Sequence, residues 1–374
     1  MSNDAIVILN GARTPMGGFQ GALKDMSATE LGAAAIKAAV ARSGVSTDNI
    51  DEVIMGCILT AGLGQGPARQ AMRKAGLSDA TGAVTINKLC GSGLKAVMQA
   101  HDGIKAGSFD VAVAGGMESM TNAPYIMPGA RGGYRMGHQE VKDHMFLDGL
   151  EDAETGKLMG KFAQEMADEK GYTREQMDEF AIESLNRALT AIKDDHFKDE
   201  IEPVTFKTRK GELRPAFAKD GTITAANASS ISDGAAAVVV MKESQAKAEG
   251  LDYQARIVAT ASNSRHPSEF TIAPIGAIEK VLAGAGWSVA DVDLWEINEA
   301  FAMVTMAAMD ELKIEHAKVN VEGGACALGH PVGCSGARIL ITLINSLKRT
   351  GGKKGVATLC IGGGEAVAVA IELP

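Results

Sequence analysis

The chain repeats its own design. A helical run from Leu31 to Ser43 leads into GVSTDNIDEVI (Gly44–Ile54), and far downstream a helical run from Ile275 to Ala285 leads into GWSVADVDLWE (Gly286–Glu296). Each is a helix, a glycine stop, a polar turn and a strand. SGLKAV (Ser92–Val97) is echoed by SGARIL (Ser335–Leu340), and AVAGGMES (Ala112–Ser119) by LCIGGGEA (Leu359–Ala366). Three echoes in the same order predict two copies of one α/β unit packed face to face.

Between the copies lies a different kind of sequence, over residues 120–229, rich in Met, charge and turn residues and holding an amphipathic stretch from Tyr172 to Ala191. It reads as an insertion that forms a lid or a ligand-binding subdomain on a rigid scaffold. GAAAVVVM (Gly234–Met241) then returns to core-strand composition. The expected division is residues 1–119 with about 230–252 as the first half, 120–229 as the insertion and 253–374 as the second half. A length of 374 residues favours more than one domain.

A net charge of -9 argues against a general nucleic-acid or membrane-surface binder. Five cysteines, an odd number, suggest no disulfide framework and fit a reducing compartment. MSNDAIVILNGARTP reads as neither a signal nor a transit peptide, and no apolar run approaches the ~20 residues that span a bilayer. The expected location is the cytoplasm.

Four stretches carry chemistry. In NKLCGSGLKAV (Asn87–Val97), Cys90 precedes Gly-Ser-Gly where a helix over Gly91–Ala100 is predicted to begin. Free N–H groups and the positive end of the helix favour a thiolate there; the plainer reading is a core cysteine. In NVEGGACALGHPVGCSGAR (Asn320–Arg338), His330 lies between Gly329 and Pro331, a turn that presents an imidazole able to activate a thiol or donate to an oxyanion. A surface-loop histidine is the alternative. Cys326, His330 and Cys334 are evenly spaced but match no C-x₂-C pattern and lack a fourth ligand, so no metal is expected. In ATLCIGGGEAV (Ala357–Val367), Cys360 ends a strand, and the pseudo-repeat places the Gly362 N–H toward a shared site. In WEINEAFA (Trp295–Ala302), Asn298 either caps a helix or holds a water.

Together these stretches resemble the thiolase family. NxxCxSG is present as Asn87, Cys90, Ser92 and Gly93; NEAF as Asn298–Phe301; GGxxxLGHPxGxSGxR as Gly323–Arg338; and CxGGG as Cys360–Gly364. RTPMGGFQG (Arg13–Gly21) and GQGPARQ (Gly64–Gln70) are similar too, and the likeness runs over nearly the whole chain, nearest to the acetyl-CoA acetyltransferase branch. The resemblance implies an α/β fold of duplicated βαβαβαββ halves packed as a layered α-β-α-β-α core, with an inserted α/β loop domain. It implies reversible Claisen condensation of two acetyl-CoA through an acetyl-Cys90 intermediate. Cys90 is then the nucleophile, His330 takes its proton and Cys360 is the base for the second acetyl-CoA. His330 with an Asn298-held water, and the backbone N–H groups of Cys90 and Gly362, serve as oxyanion holes. CoA contacts fall on Leu150, Met159, Arg214, Phe217, Ser229, Ala300 and Phe301. Coenzyme A is substrate and product, with no metal or bound cofactor, and a homo-oligomer is expected, a dimer or a dimer of dimers (homotetramer), with RGGYRMG (Arg131–Gly137) as a contact loop.

The chain departs from the family pattern in two places. Leu158 stands where many acetyl-CoA members have His, and KTRKGELRPAF (Lys207–Phe217) is shorter than the usual loop there. Competing readings are a broader-chain 3-ketoacyl-CoA thiolase, a decarboxylating ketoacyl-ACP synthase, which has no use for Cys360, and a non-catalytic acyl-CoA or lipid carrier, which has no use for the full set of Cys90, His330 and Cys360. A Rossmann dehydrogenase is disfavoured because AVAGGMES lacks G-x-G-x-x-G spacing.

Overall fold

Ile6–Arg13 (β1) sorts its side chains by parity: Ile6 and Ile8 join one apolar cluster, Val7 and Leu9 another. A strand that is apolar on both faces must lie between two layers. The computed structural model describes residues 4–204 and 229–374. After β1 and the short Gly17–Gly18 (β2), the first half runs Ala28–Ser43 (α1), Glu52–Gly56 (β3), Pro67–Lys74 (α2), Gly82–Ile86 (β4), Ser92–Ala106 (α3) and Val111–Ser119 (β5). Tyr125–Ile126 (β6) and Lys142–Asp143 (β7) pair by themselves, and helices Met159–Lys170 (α4) and Arg174–Lys193 (α5) follow. Ser232–Lys242 (β8) and Glu243–Ala248 (α6) return to the core. The second half runs Ala255–Ser264 (β9), Ala273–Ala285 (α7), Leu294–Ile297 (β10), Ala302–Leu312 (α8), Ala325–Leu328 (α9), Ser335–Thr350 (α10), Lys354–Ile361 (β11) and Glu365–Glu372 (β12).

The duplication is visible in the strand order, β10-β11-β12-β9-β1-β8-β5-β3-β4. From the β1–β9 junction outward, each side has antiparallel neighbours and then a parallel pair, β3 with β5 or β10 with β11. Even the parallel β3–β4 pairing has a counterpart, a single bridge from Trp295 to Val319. The halves are hydrogen-bonded to each other through Ile6, Val7 and Ile8 opposite Ile257, Arg256 and Ala255.

Helices α3 and α10 form the middle layer. Leu94 and Val97 of α3 and Leu340 and Leu343 of α10 share one core with Ile8 and Val238 of the first half and Leu359 and Val369 of the second. Val7, Val113 and Val239 face outward onto α1 and α2, while Val356, Ala368 and Ala370 face α7 and the end of α8. The result is the α-β-α-β-α layering. Residues Ser335–Ile344 are buried all round, as a helix enclosed between the two halves of the sheet must be.

The repeated Ser-Gly has a packing cause. A Cβ on Gly93 would lie 2.9 Å from the Ala337 nitrogen, and one on Gly336 would lie 2.3 Å from the Leu94 nitrogen. The two central helices touch backbone to backbone at their N-termini, where only glycine fits. Local signals hold elsewhere. Helix α1 begins at a Ser27–Glu30 capping box and stops at Gly44, with φ 76°. Helix α3 runs Ser92–Ala106, six residues beyond the expected end, to Gly107 at φ 79°.

Candidate active site

The Asn87–Ser92 turn is built around Cys90. Asn87 Oδ1 accepts from the Leu89 N–H at 2.9 Å, and Ser92 Oγ accepts from the Lys88 N–H at 2.7 Å while donating to the Leu89 carbonyl at 2.8 Å. Leu89 takes φ 46° as a result. The Asn and Ser of the motif therefore hold the turn, and Cys90 projects half-buried from it. Lys88 Nζ pairs with Glu365 Oε2 at 2.5 Å, tying this turn to the glycine loop after Cys360.

Burial pushes the Cys90 thiol up to about 11, although the N–H groups of Gly362 and of Cys90 itself, both turned to the sulfur, act to lower it. The expected thiolate at a helix start is thus not the resting state. Cys90 precedes the N-cap Gly91, and desolvation outweighs the two N–H groups that reach the sulfur. Cys360, fully buried at the end of β11, is held well above its ordinary range by burial and by the neighbouring Cys90.

His330 is buried and fixed at Nδ1, which lies 2.5 Å from Ser335 Oγ. Ser335 Oγ gives its single proton to the Pro331 carbonyl at 2.9 Å, so it accepts from Nδ1–H. That leaves Nε2 as the free lone pair, with Asn298 Nδ2 at 3.5 Å. Burial, aided by the Arg338 charge, holds His330 down to about 3, so the ring is neutral. Asn298 itself is buried with an Oδ1 that has no partner among the described residues, which fits a group that binds a water better than one that caps a helix.

A cavity of about 240 Å³ unites these residues: Cys90, His330, Cys360 and Gly362 all line it. So do Leu150, Met159, Ser229, Ala300 and Phe301, and Ser229 is fastened by its N–H and Oγ to the Ala300 carbonyl at 3.2 and 3.1 Å. Leu158 lies at the rim. Arg214, Phe217 and the shortened Lys207–Phe217 stretch lie outside the described residues. A larger groove of about 900 Å³ runs along α1 beside Glu202 and Val204 and is lined by neither cysteine nor histidine, so size does not locate the chemistry. Cys326 and Cys334 do not converge with His330. The Cys326 thiol faces the Glu299 carbonyl at 3.8 Å, and Cys334 is packed into the central core.

Two residues escaped the sequence reading. Ser335 was visible only as part of a repeated Ser-Gly. Glu118 stands in the otherwise apolar AVAGGMES and is fully buried; its carboxylate accepts from the N–H groups of Ile58, Leu59 and Gly333 at 3.1, 3.1 and 3.0 Å. It therefore clamps the loop following His330 to the half that carries Cys90. The signal was available: a carboxylate in a buried strand demands partners. The site thus offers two thiols, a neutral imidazole with a free Nε2, and backbone N–H groups aimed at a sulfur, which is equipment for acyl transfer between thiols.

Residues 6–244 match the thiolase N-terminal domain and residues 251–373 the thiolase C-terminal domain. An acetyl-CoA acetyltransferase of Allochromatium vinosum is 48% identical, with 99% of each chain covered, and one of Escherichia coli is 48% identical, with 98% of each covered. The crystal structure of the Bacillus anthracis acetyl-CoA acetyltransferase superposes with a TM-score of 0.94 at 40% identity, covering 99% of both chains. The chain belongs to the thiolase family.

Proposed function

We propose that the protein is an acetyl-CoA C-acetyltransferase, joining two acetyl-CoA into acetoacetyl-CoA and CoA, or running that reaction in reverse. The observation that carries the reading is the convergence of Cys90, His330, Cys360 and Gly362 on one cavity, with the Gly362 N–H turned to the Cys90 sulfur. As Cys90 attacks the thioester carbonyl, His330 Nε2 takes the thiol proton and returns it to the departing CoA sulfur. The N–H groups of Cys90 and Gly362 meet the developing oxyanion. Cys360 passes its thiol proton to His330 Nε2 and then removes an α-proton from the second acetyl-CoA. The resulting enolate, stabilised by the Nε2–H now on His330 and by an Asn298-bound water, attacks acetyl-Cys90. The C–C bond forms, the Cys90–acyl bond breaks, the Cys90 sulfur takes the proton held by Cys360, and His330 returns its own to Cys360.

Coenzyme A is substrate and product in this scheme, and no step calls for a metal. Leu150, Met159, Ser229, Ala300 and Phe301 form its pantetheine-side contacts, and the CoA contacts that the resemblance implies at Arg214 and Phe217 belong to the same proposal. The three-part division at about residues 119, 229 and 252, a cytoplasmic location and a homo-oligomer, dimer or tetramer, belong to the same proposal. A second reading, a 3-ketoacyl-CoA thiolase of broader chain length, draws support from Phe146, Leu158, Ile231 and Phe270, which keep the cavity wall apolar. Steady-state thiolysis of acetoacetyl-CoA against longer 3-ketoacyl-CoAs separates the two. A kcat/KM highest for the four-carbon substrate supports the first, and a preference for longer chains supports the second.

A further inference from the structure

Helix α5 is apolar on two faces, and the bulkier face is turned to water. Inward it presents Phe180, Ala181, Ser184, Ala188 and Ala191, mostly small side chains packed against the second half. Outward, Ile182, Leu185, Leu189 and Ile192 are 55%, 46%, 51% and 47% exposed. A helix at a protein surface ordinarily keeps its largest apolar residues inside. The spacing of the outer four is 3-4-3, which is the seam of a two-helix coiled coil, not a scatter of surface residues.

We propose that this stripe is an interface with a second copy of the same chain, in which two α5 helices pair antiparallel about a twofold axis between Leu185 and Leu189. That axis sets Leu185 against the partner's Leu189 and Ile182 against the partner's Ile192, so the stripe is its own complement, as an isologous contact requires. The flank decides the direction. Glu179 and Lys193 are both exposed and lie along one edge of the stripe, and neither joins an ion pair among the described residues. Antiparallel pairing brings Glu179 beside the partner's Lys193 twice over. Parallel pairing would set Glu179 against Glu179 and Lys193 against Lys193. From Ile182 to Ile192 the seam is only ~15 Å long, short for a free-standing interface, so the proposal requires that the pairing copies also meet through a further surface. The contact lies apart from the reactive cavity and does not depend on the chemistry assigned there.

Sedimentation equilibrium of the full-length chain tests this, with Leu185→Lys/Leu189→Lys, Lys193→Glu and Glu179→Lys/Lys193→Glu compared with wild type. The lysine double variant is expected to have half the wild-type mass, or a dissociation constant raised at least ~10-fold, with unchanged circular dichroism. Lys193→Glu alone is expected to weaken association, and the charge-swapped pair to restore it. An unchanged mass for the lysine variant overturns the proposal, as does a wild-type monomer at all concentrations. Failure of the swap to restore association overturns the antiparallel register.

Discussion

Ser335 Oγ is the acceptor that fixes the His330 ring, 2.5 Å from Nδ1. Because its own proton goes to the Pro331 carbonyl, the pair allows one neutral tautomer, with Nε2 toward the cavity. Ser335→Ala leaves Nδ1–H without its acceptor and frees the ring to turn. The expected loss in kcat for thiolysis is on the order of 10²-fold, the lower end of what a positioned base contributes, with KM little changed. A variant with wild-type kcat would remove Ser335 from the mechanism.

Asn298→Ala removes the only side chain that reaches His330 Nε2 among the described residues. Loss of an oxyanion donor costs ~10²–10³-fold in kcat. The enolate step should bear this loss while acetylation of Cys90 proceeds, so a pre-steady-state burst of acetyl-enzyme should survive. Loss of the burst would place Asn298 in the first half-reaction instead.

The pH dependence follows from His330. Its ring is depressed from the ordinary histidine range to about 3, by burial first and the Arg338 charge second. It therefore stays neutral and competent as a base throughout pH 5–8, and the rate profile should show no acid limb near the ordinary histidine value of ~6.5. The same depression makes neutral His330 stabilising above its unfolded value, and that stability is lost as pH falls toward 3. A titration near 6.5 that vanishes in a His330 variant would contradict this.

Cys90 supplies a second pH signature. With the resting thiol pushed to about 11 by burial, alkylation by iodoacetamide should keep rising through pH 9.5 without a plateau. A plateau by pH 8 would mean that the thiolate is already formed at rest.

Glu118 is raised by burial to about 7, above its unfolded value of ~4.3. Its protonated form thus contributes stability that is complete below that unfolded value and is lost as pH rises through 7. Glu118→Gln should flatten the fall in melting temperature over that window. It also faces an amide NH₂ against backbone donors, a cost of about 1–3 kcal/mol. An unchanged pH dependence of melting would show that Glu118 does not titrate there.

What the sequence disclosed was local or repeated. Gly44 as a helix stop and the paired Ser-Gly at 92–93 and 335–336 depend on neighbours along the chain or on an echo, and each is readable as such. The candidate site was legible because Cys90, His330 and Cys360 stand in motifs whose glycines and prolines mark turns. The β1–β9 junction was not legible, since three backbone pairs between residues 6–8 and 255–257 leave no pattern in side chains. Nor was the clamp from Glu118 to Gly333, which joins positions 215 apart. The Cys90 thiol ran against the local reading because burial is a property of the assembled layers, whereas a helix start is a property of the segment.

The central claim is that Cys90 carries the acetyl group while Cys360 handles the proton. Incubating the Cys360→Ala variant with acetyl-CoA and mapping the modified peptide by mass spectrometry tests it most directly. The account predicts one acetyl group, retained on the peptide containing Cys90, because the second half-reaction has lost its base. Acetylation elsewhere, or none on an otherwise folded variant, would contradict it.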